Sequence, residues 1–139
     1  MVGLARYCVK KKRKKKRKGH YIRGTYNSAI AGECKFRSSW ELKLMLHLDE
    51  NPEVAFWSYE KTVIEYMSNV RTKKLRKYYP DFLVRYKDGR TELIEVKPKR
   101  KLDQAIVKKK IAAAQAWCLD KGITYTIITE VELKNMNIL

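Results

Sequence analysis

The sequence predicts a mixed α/β domain in which one sheet carries a helix on each face. Three observations predict it. The apolar period is helical after Ser38 and changes to a strand-like pattern after Val54. An Asp-Gly turn at Asp88-Gly89 joins two branched and aromatic runs. A long alanine-containing helical stretch then leads to a further strand-like run, the pattern of a parallel crossover unit. At 139 residues the chain has the size of one domain.

The elements follow in order. Residues 1–35 read as a basic lead-in with weak pattern, and Tyr21, Ile22, Tyr26 and Ile30 are available to pin parts of it to a body spanning residues 36–139. Ser38-Ser39-Trp40-Glu41 fits a capping box, with Ser38 as N-cap and Glu41 at N3. Trp40, Leu42, Leu44, Met45 and Leu48 supply the apolar stripe of that helix, and Asn51-Pro52 ends it. Val54, Phe56 and residues 62–66 read as the first strand. Residues 68–77 read as a basic polar connection containing Lys73, Lys74 and Arg76. The second strand is expected over residues 78–86 and the third over residues 91–97, stopped by Pro98. A second helix is expected over residues 103–120, with Ala105, Ile106, Lys109, Ala112, Ala113, Ala116 and Trp117 on its buried side and Gly122 closing it. Residues 123–129 form the last strand and residues 131–136 a short terminal helix. The order is α-β-β-β-α-β, then the short helix, in a mixed sheet.

Charge narrows the partners. The net charge is +17, from 32 basic and 15 acidic residues. Lys10, Lys11, Lys12, Arg13, Lys14, Lys15, Lys16, Arg17 and Lys18 are consecutive, and no acid precedes Glu33. Such a run repels itself and buries nothing, so it is expected to be a disordered or extended arm. Residues 24–139 keep 21 bases against 15 acids, so the body is basic as well. The favoured partner is nucleic acid, bound through its phosphates by counterion release. A solvated tail, an anionic membrane surface or an acidic protein lining are the alternatives for the arm. Cys8, Cys34 and Cys118 form no CxxC and have no histidine at metal spacing, His20 and His47 being the only two histidines. That argues against a structural zinc site and a disulfide framework and for a cytosolic protein. No apolar run is long enough to span a bilayer, and no apolar core follows the basic head as in a signal peptide.

The chemistry is concentrated in Tyr79-Pro80-Asp81 and Glu95-Val96-Lys97. Mg²⁺ takes one or two carboxylates and keeps several waters. The hairpin brings Asp81 near Glu95 and Lys97, and Glu95 and Lys97 project from one face of their strand. Val96 points into the core while its backbone carbonyl stays available to a metal. This is the layout of a metal-dependent phosphodiesterase, in which Lys97 orients water or stabilises phosphorane charge. The alternative is an amphipathic hairpin with charges on its wet face. Against it stand Asp81 at the head of an apolar strand and Glu95 between Ile94 and Val96. Glu41 has a complete local role as a helix cap and a second candidate role as a third acid. Lys108 and Gln115 on the second helix are candidate accessory residues, the alternative being a solvated face.

Taken together, Phe36-Arg37-Ser38-Ser39-Trp40-Glu41, Asp49-Glu50-Asn51-Pro52-Glu53, Tyr79-Pro80-Asp81 and Ile94-Glu95-Val96-Lys97-Pro98-Lys99 resemble the PD-(D/E)XK nuclease superfamily. Within it the chain is most similar to the head completion nucleases of tailed bacteriophages, and similar also to the transposon-end nuclease subunits of Tn7-type elements. The resemblance covers about residues 36–130. It implies a restriction-endonuclease-like fold, Mg²⁺ or Mn²⁺ as cofactor, Asp81 and Glu95 as metal ligands and Lys97 as catalytic lysine. It moves Glu41 from the cap to the active site, touching the metal directly or through water. It implies a DNA endonuclease acting on packaged DNA ends during virion assembly, with phage head, portal or neck proteins as candidate partners. The host cytoplasm is the expected location, with incorporation in the virion as a further option. The other readings are a recombination or transposition nuclease that needs a partner, and a catalytically silent DNA-binding virion protein.

Overall fold

The structure is a computed structural model and describes residues 7–9 and 19–139. The nine consecutive bases, Lys10 to Lys18, lie outside the described residues. Three helices and three sheets are present among the described residues. No helix there is long and apolar enough to cross a membrane.

The central sheet has four strands in the order β4-β7-β8-β9: β4 (Val54–Tyr59), β7 (Phe82–Tyr86), β8 (Thr91–Val96) and β9 (Thr124–Ile128). β4 and β8 run antiparallel to β7, and β9 runs parallel to β8, as the crossover pattern requires. The sheet is mixed because the β8–β9 connection crosses over through a helix, α2 (Ala105–Lys121), whereas β7 and β8 are joined by a tight turn. α1 (Ser39–Glu50) lies on one face, where Leu44, Met45 and Leu48 pack with Trp57, Phe82, Val84, Ile94 and Ile128. α2 lies on the other, where Ala114 and Cys118 pack with Leu93. Alternation along β8 sends Leu93 and Ile94 into these two different cores. α3 (Glu130–Asn135) is closed by a capping box between Thr129 and Glu132.

Five sequence expectations change. The lead-in is not patternless: β2 (Gly24–Ser28) and β3 (Gly32–Phe36) form a hairpin, and β1 (Tyr7–Val9) adds a short third strand. Tyr26, Cys34 and Phe36 of this hairpin enter the α1-side core. Asp49 near the end of α1 ties it down, accepting hydrogen bonds from Tyr26, from Ser28 Oγ at 2.7 Å and from Trp57 Nε1 at 2.9 Å.

The expected first strand is two strands. Glu60, with φ of 53°, breaks it, and β5 (Ile64–Asn69) leaves the central sheet. The basic connection at residues 68–77 is mostly strand: β6 (Lys74–Tyr78) pairs antiparallel with β5. The expected second strand is likewise interrupted at Tyr79-Pro80-Asp81, because proline cannot donate to a ladder. Finally, the buried side of α2 is rotated. Val107, Ala114 and Cys118 are buried and Lys110, Ile111 and Trp117 half-buried, whereas Ala105, Ile106, Lys109, Ala112 and Ala116 are exposed. Val107, Lys110, Ile111, Ala114 and Cys118 follow steps of three and four residues, so the helical period was right and the phase was wrong.

Candidate active site

Three carboxylates are buried in the described structure at one end of the central sheet: Glu41, Asp81 and Glu95, with 7%, 5% and 6% of their surface exposed. All three line one cleft of about 580 Å³, together with Val96 and Lys97. Burial of three acids around a solvent-filled space is costly unless hydrogen bonds or a cation compensate.

Each acid is placed by a different element. The β7–β8 register pairs Phe82 with Ile94, and one step further sets Asp81 opposite Glu95. Asp81 precedes β7, and its Oδ2 accepts the Val96 N–H at 2.8 Å. Its backbone carbonyl accepts the Glu60 N–H at 2.9 Å, which fixes the bend after Pro80. Glu95 is held on β8, where its Oε2 accepts the Tyr78 hydroxyl at 2.5 Å and its Oε1 lies 3.3 Å from Lys97 Nζ. The Lys97 N–H donates to the Ile128 carbonyl at 3.0 Å, so β9 fixes the backbone that presents Lys97.

Glu41 combines the two roles read from its position. Ser38 Oγ accepts the Glu41 N–H at 3.1 Å, so the N-cap forms. The reciprocal half of the capping box does not: Glu41 Oε2 accepts the Arg37 N–H at 2.9 Å and the Tyr59 hydroxyl at 3.0 Å, not the Ser38 N–H. Its side chain therefore lines the cleft while still serving a backbone donor beside the helix start.

The electrostatics follow from this crowding. The Asp81 carboxyl is pushed well above the ordinary aspartate range, first by burial, then by the charges of Glu95 and Glu41; the Val96 N–H and Lys97 oppose the shift. Burial also raises Glu41, opposed by the Arg37 N–H and by Tyr59. Burial and the adjoining carboxylates raise Tyr59 and Tyr78, so both phenols remain donors at neutral pH.

These groups fit a hard divalent cation. They supply carboxylate oxygens in a partly dry site whose mutual repulsion a cation would relieve. Among the described residues no three His, Cys, Asp or Glu side chains stand together as a closed metal-binding group. Two carboxylates completed by waters are the usual donor set of Mg²⁺, and Asp81 and Glu95 are of that type.

The rest of the cleft lining is largely basic and aromatic. His20, Tyr21, Arg23, Arg37, Trp40 and Lys101 belong to it. His20 stacks on Trp40 with ring centroids 3.7 Å apart, and Lys101 Nζ lies 4.9 Å from the centre of the Tyr21 ring. Burial, followed by the charges of Arg100 and Lys101, holds the His20 imidazole below its usual pKa. Arg37 also pairs with Glu60.

The chain matches the family model of the TnsA-like endonuclease N-terminal domain over residues 51–130. The chain belongs to this endonuclease family. The match includes Asp81, Glu95 and Lys97, and Glu41 lies before it. The chain is also 31% identical to the head completion nuclease of Enterobacteria phage T4 over 121 aligned residues, covering 71% of this chain and 80% of that protein. Both findings agree with the resemblance carried by the Arg37-Ser38-Ser39-Trp40-Glu41, Pro80-Asp81 and Glu95-Val96-Lys97 segments.

Not every expected residue reaches the cleft. Lys108 and Gln115 are exposed on α2 and are not among its lining residues. The α2 lysine that approaches the site is Lys110, which lines a small adjoining cavity with Tyr78, Glu95 and Lys97. Its Nζ lies 5.6 Å from the Tyr78 ring centre. Lys110 shares a helix face with Val107 and Ala114, a signal present in the sequence. Tyr59 and Tyr78, the donors to Glu41 and Glu95, had no comparable local signature. The expected DNA contacts Lys73, Lys74 and Arg76 are exposed on the β5–β6 hairpin.

Proposed function

We propose that this endonuclease-family chain is a Mg²⁺-dependent endodeoxyribonuclease that trims or processes packaged DNA ends late in phage head assembly. The observation that carries the reading is the convergence of Glu41, Asp81, Glu95 and Lys97 on one cleft. The central mixed sheet, with α1 on one face and α2 on the other, supports a restriction-endonuclease-like fold. The similarity to the phage T4 head completion nuclease supports the setting in virion assembly, the host cytoplasm or virion as location, and head or neck proteins as partners.

Asp81 and Glu95 would hold the metal, with the Val96 carbonyl beside them and Glu41 reaching it through water. When bound, the cation neutralises the phosphate and lowers the pKa of an attacking water. Tyr78 and Tyr59 keep Glu95 and Glu41 oriented by donating to one oxygen of each. Lys97 sits where it can orient the water and stabilise charge on the phosphorane. The basic residues of the same cleft, Arg23 and Lys101 among them, suit the incoming phosphate backbone.

Plasmid nicking by the full chain in Mg²⁺ or Mn²⁺ tests this. Wild type should cleave, chelation should abolish cleavage, and Asp81→Ala should be inactive while still binding DNA. Equal cleavage by Asp81→Ala would falsify the site assignment. The family match to the TnsA-like N-terminal domain favours one second reading, a recombination-type nuclease that needs a partner protein. That reading expects wild type to bind DNA and metal but to cut only when the partner is added.

A further inference from the structure

β5 and β6 pair with each other and with no other described strand. At their base Ile64, Tyr66 and Tyr78 are buried with Ala114 and Cys118 of α2. Beyond the Tyr66–Arg76 pair no residue from Met67 to Lys77 is buried. This tip carries Arg71, Lys73, Lys74, Arg76 and Lys77 and contains no acid. It is nonetheless a built turn. Asn69 Oδ1 accepts the N–H groups of Arg71 and Thr72 at 3.0 and 3.2 Å, and Ser68 Oγ donates to the Lys74 carbonyl at 3.2 Å. Lys109 Nζ braces it from α2 by donating to the Ser68 carbonyl at 2.8 Å.

A solvated basic hairpin needs no further account. What distinguishes this one is the apolar surface among the charges: Val70 is 72% and Leu75 58% exposed. Phosphates alone would match the bases and leave these two without a counterpart. The major groove of a DNA duplex offers both, with phosphates along its rim and thymine methyl groups on its floor. It also admits a two-stranded β-ribbon as a unit.

The ribbon is joined to the cleft at its base, because Tyr78 is the last residue of β6 and its hydroxyl donates to Glu95. From Tyr78 to Val70 the chain makes eight residue steps. At about 3.3 Å each they reach about 26 Å, less than the ~34 Å turn of duplex DNA.

We infer that the β5–β6 ribbon is a duplex-DNA grip that enters the major groove within one helical turn of the phosphodiester in the cleft. This rests on the nuclease reading and names its substrate class as double-stranded DNA. Arg71, Lys73, Lys74 and Arg76 contact the phosphate rims, and Val70 and Leu75 face base edges.

The test uses the full chain in chelator, where nothing is cut. Binding of a labelled duplex and of the corresponding single strand is followed against salt, for wild type and for Arg71→Ser/Lys73→Ser/Lys74→Ser. The expected result is a duplex affinity at least about tenfold lower and a salt slope smaller by about two to three, with far less change on the single strand. Methylation of guanine N7, which lies in the major groove, should be blocked by wild type and not by the variant. Val70→Ser should weaken duplex binding while keeping the salt slope.

Equal losses on both DNA forms, or N7 methylation unaffected by wild type, would overturn the grip. Thermal melts matching wild type confirm that the variants fold. Cleavage in Mg²⁺ is scored separately. A wild type that cuts without N7 protection refutes the ribbon role alone, and one that protects N7 but neither cuts nor binds Mg²⁺ refutes the nuclease reading alone.

Discussion

The acid end of the cleft and the tip of the β5–β6 ribbon are opposites. In the cleft Glu41, Asp81 and Glu95 are each more than nine-tenths buried, and each is bound to a donor from another element. At the tip five bases are exposed, and the ordering hydrogen bonds are local apart from the Lys109 brace. Holding a cation depends on oxygen positions within a few tenths of an ångström, so the cleft uses four elements to place three side chains. Attracting a phosphate backbone depends on charge number more than on placement, so a single hairpin suffices. Crowding three buried acids costs the cleft stability, and the tip does neither much harm nor much good to the fold.

Substitution of Asp81 should separate the regions most sharply. Asp81→Asn keeps an acceptor for the Val96 N–H but removes a charge that Glu95 and Glu41 repel. Cleavage should fall at least about a thousandfold, the equivalent of several kcal/mol of lost charge stabilisation. The melting temperature of the metal-free protein should rise at pH values above the raised Asp81 pKa, where wild type carries that charge. A variant that melts lower than wild type would show that the crowding of acids is not a cost.

Titration gives the next effect. A carboxylate whose pKa is raised on folding contributes most to stability below its ordinary range, and that contribution is lost as pH rises through the elevated value. Metal-free wild type should therefore lose stability relative to Asp81→Asn as pH rises through the raised Asp81 value. Mg²⁺ affinity should move oppositely and strengthen over the same interval, because the metal competes with the proton. Denaturant melts and calorimetric metal titrations across pH check the two signs.

Tyr78→Phe probes the support of the site without touching the charge count. It should lower metal affinity or cleavage by about 10–100-fold, the range for a partner that orients a ligand. It should also reduce unfolding free energy by about 1.5–3 kcal/mol, as for a hydrogen bond to a charged group. The smallest effect belongs to the tip: Lys77→Ala should change stability by less than about 0.5 kcal/mol in the same melts.

What could be read from the sequence follows the same division. The helix beginning at Ser38, the Asp88-Gly89 turn and the β8–α2–β9 crossover were legible because cap, turn and period reinforce one another locally. They bring Asp81, Glu95 and Lys97 together with little help from the rest of the chain. The residues 24–36 hairpin was not legible, since its buried positions are Gly24, Tyr26, Ser28, Cys34 and Phe36, too mixed in polarity to show alternation. β6 was hidden for a different reason. A ribbon exposed on both faces has no apolar pattern, and only backbone pairing defines it. In α2 lysines and alanines occupy both sides, so the period was visible without its phase, and Lys110 was passed over for Lys108 and Gln115. Tyr59 and Tyr78 reach their acids across distances in sequence that no local spacing encodes.

The parallel pairing of β8 with β9 has a consequence for synthesis. β8 carries Glu95 and precedes Lys97, but its second neighbour, and the carbonyl that receives the Lys97 N–H, come only with Ile128. Contacts this distant in sequence form late, because the intervening loop must first close. A growing chain can thus carry its basic head and its acidic motif on the ribosome, amid nucleic acid, before the strand that completes the cleft exists. An ordered cleft would appear only once Ile128 has been made, set by strand order alone.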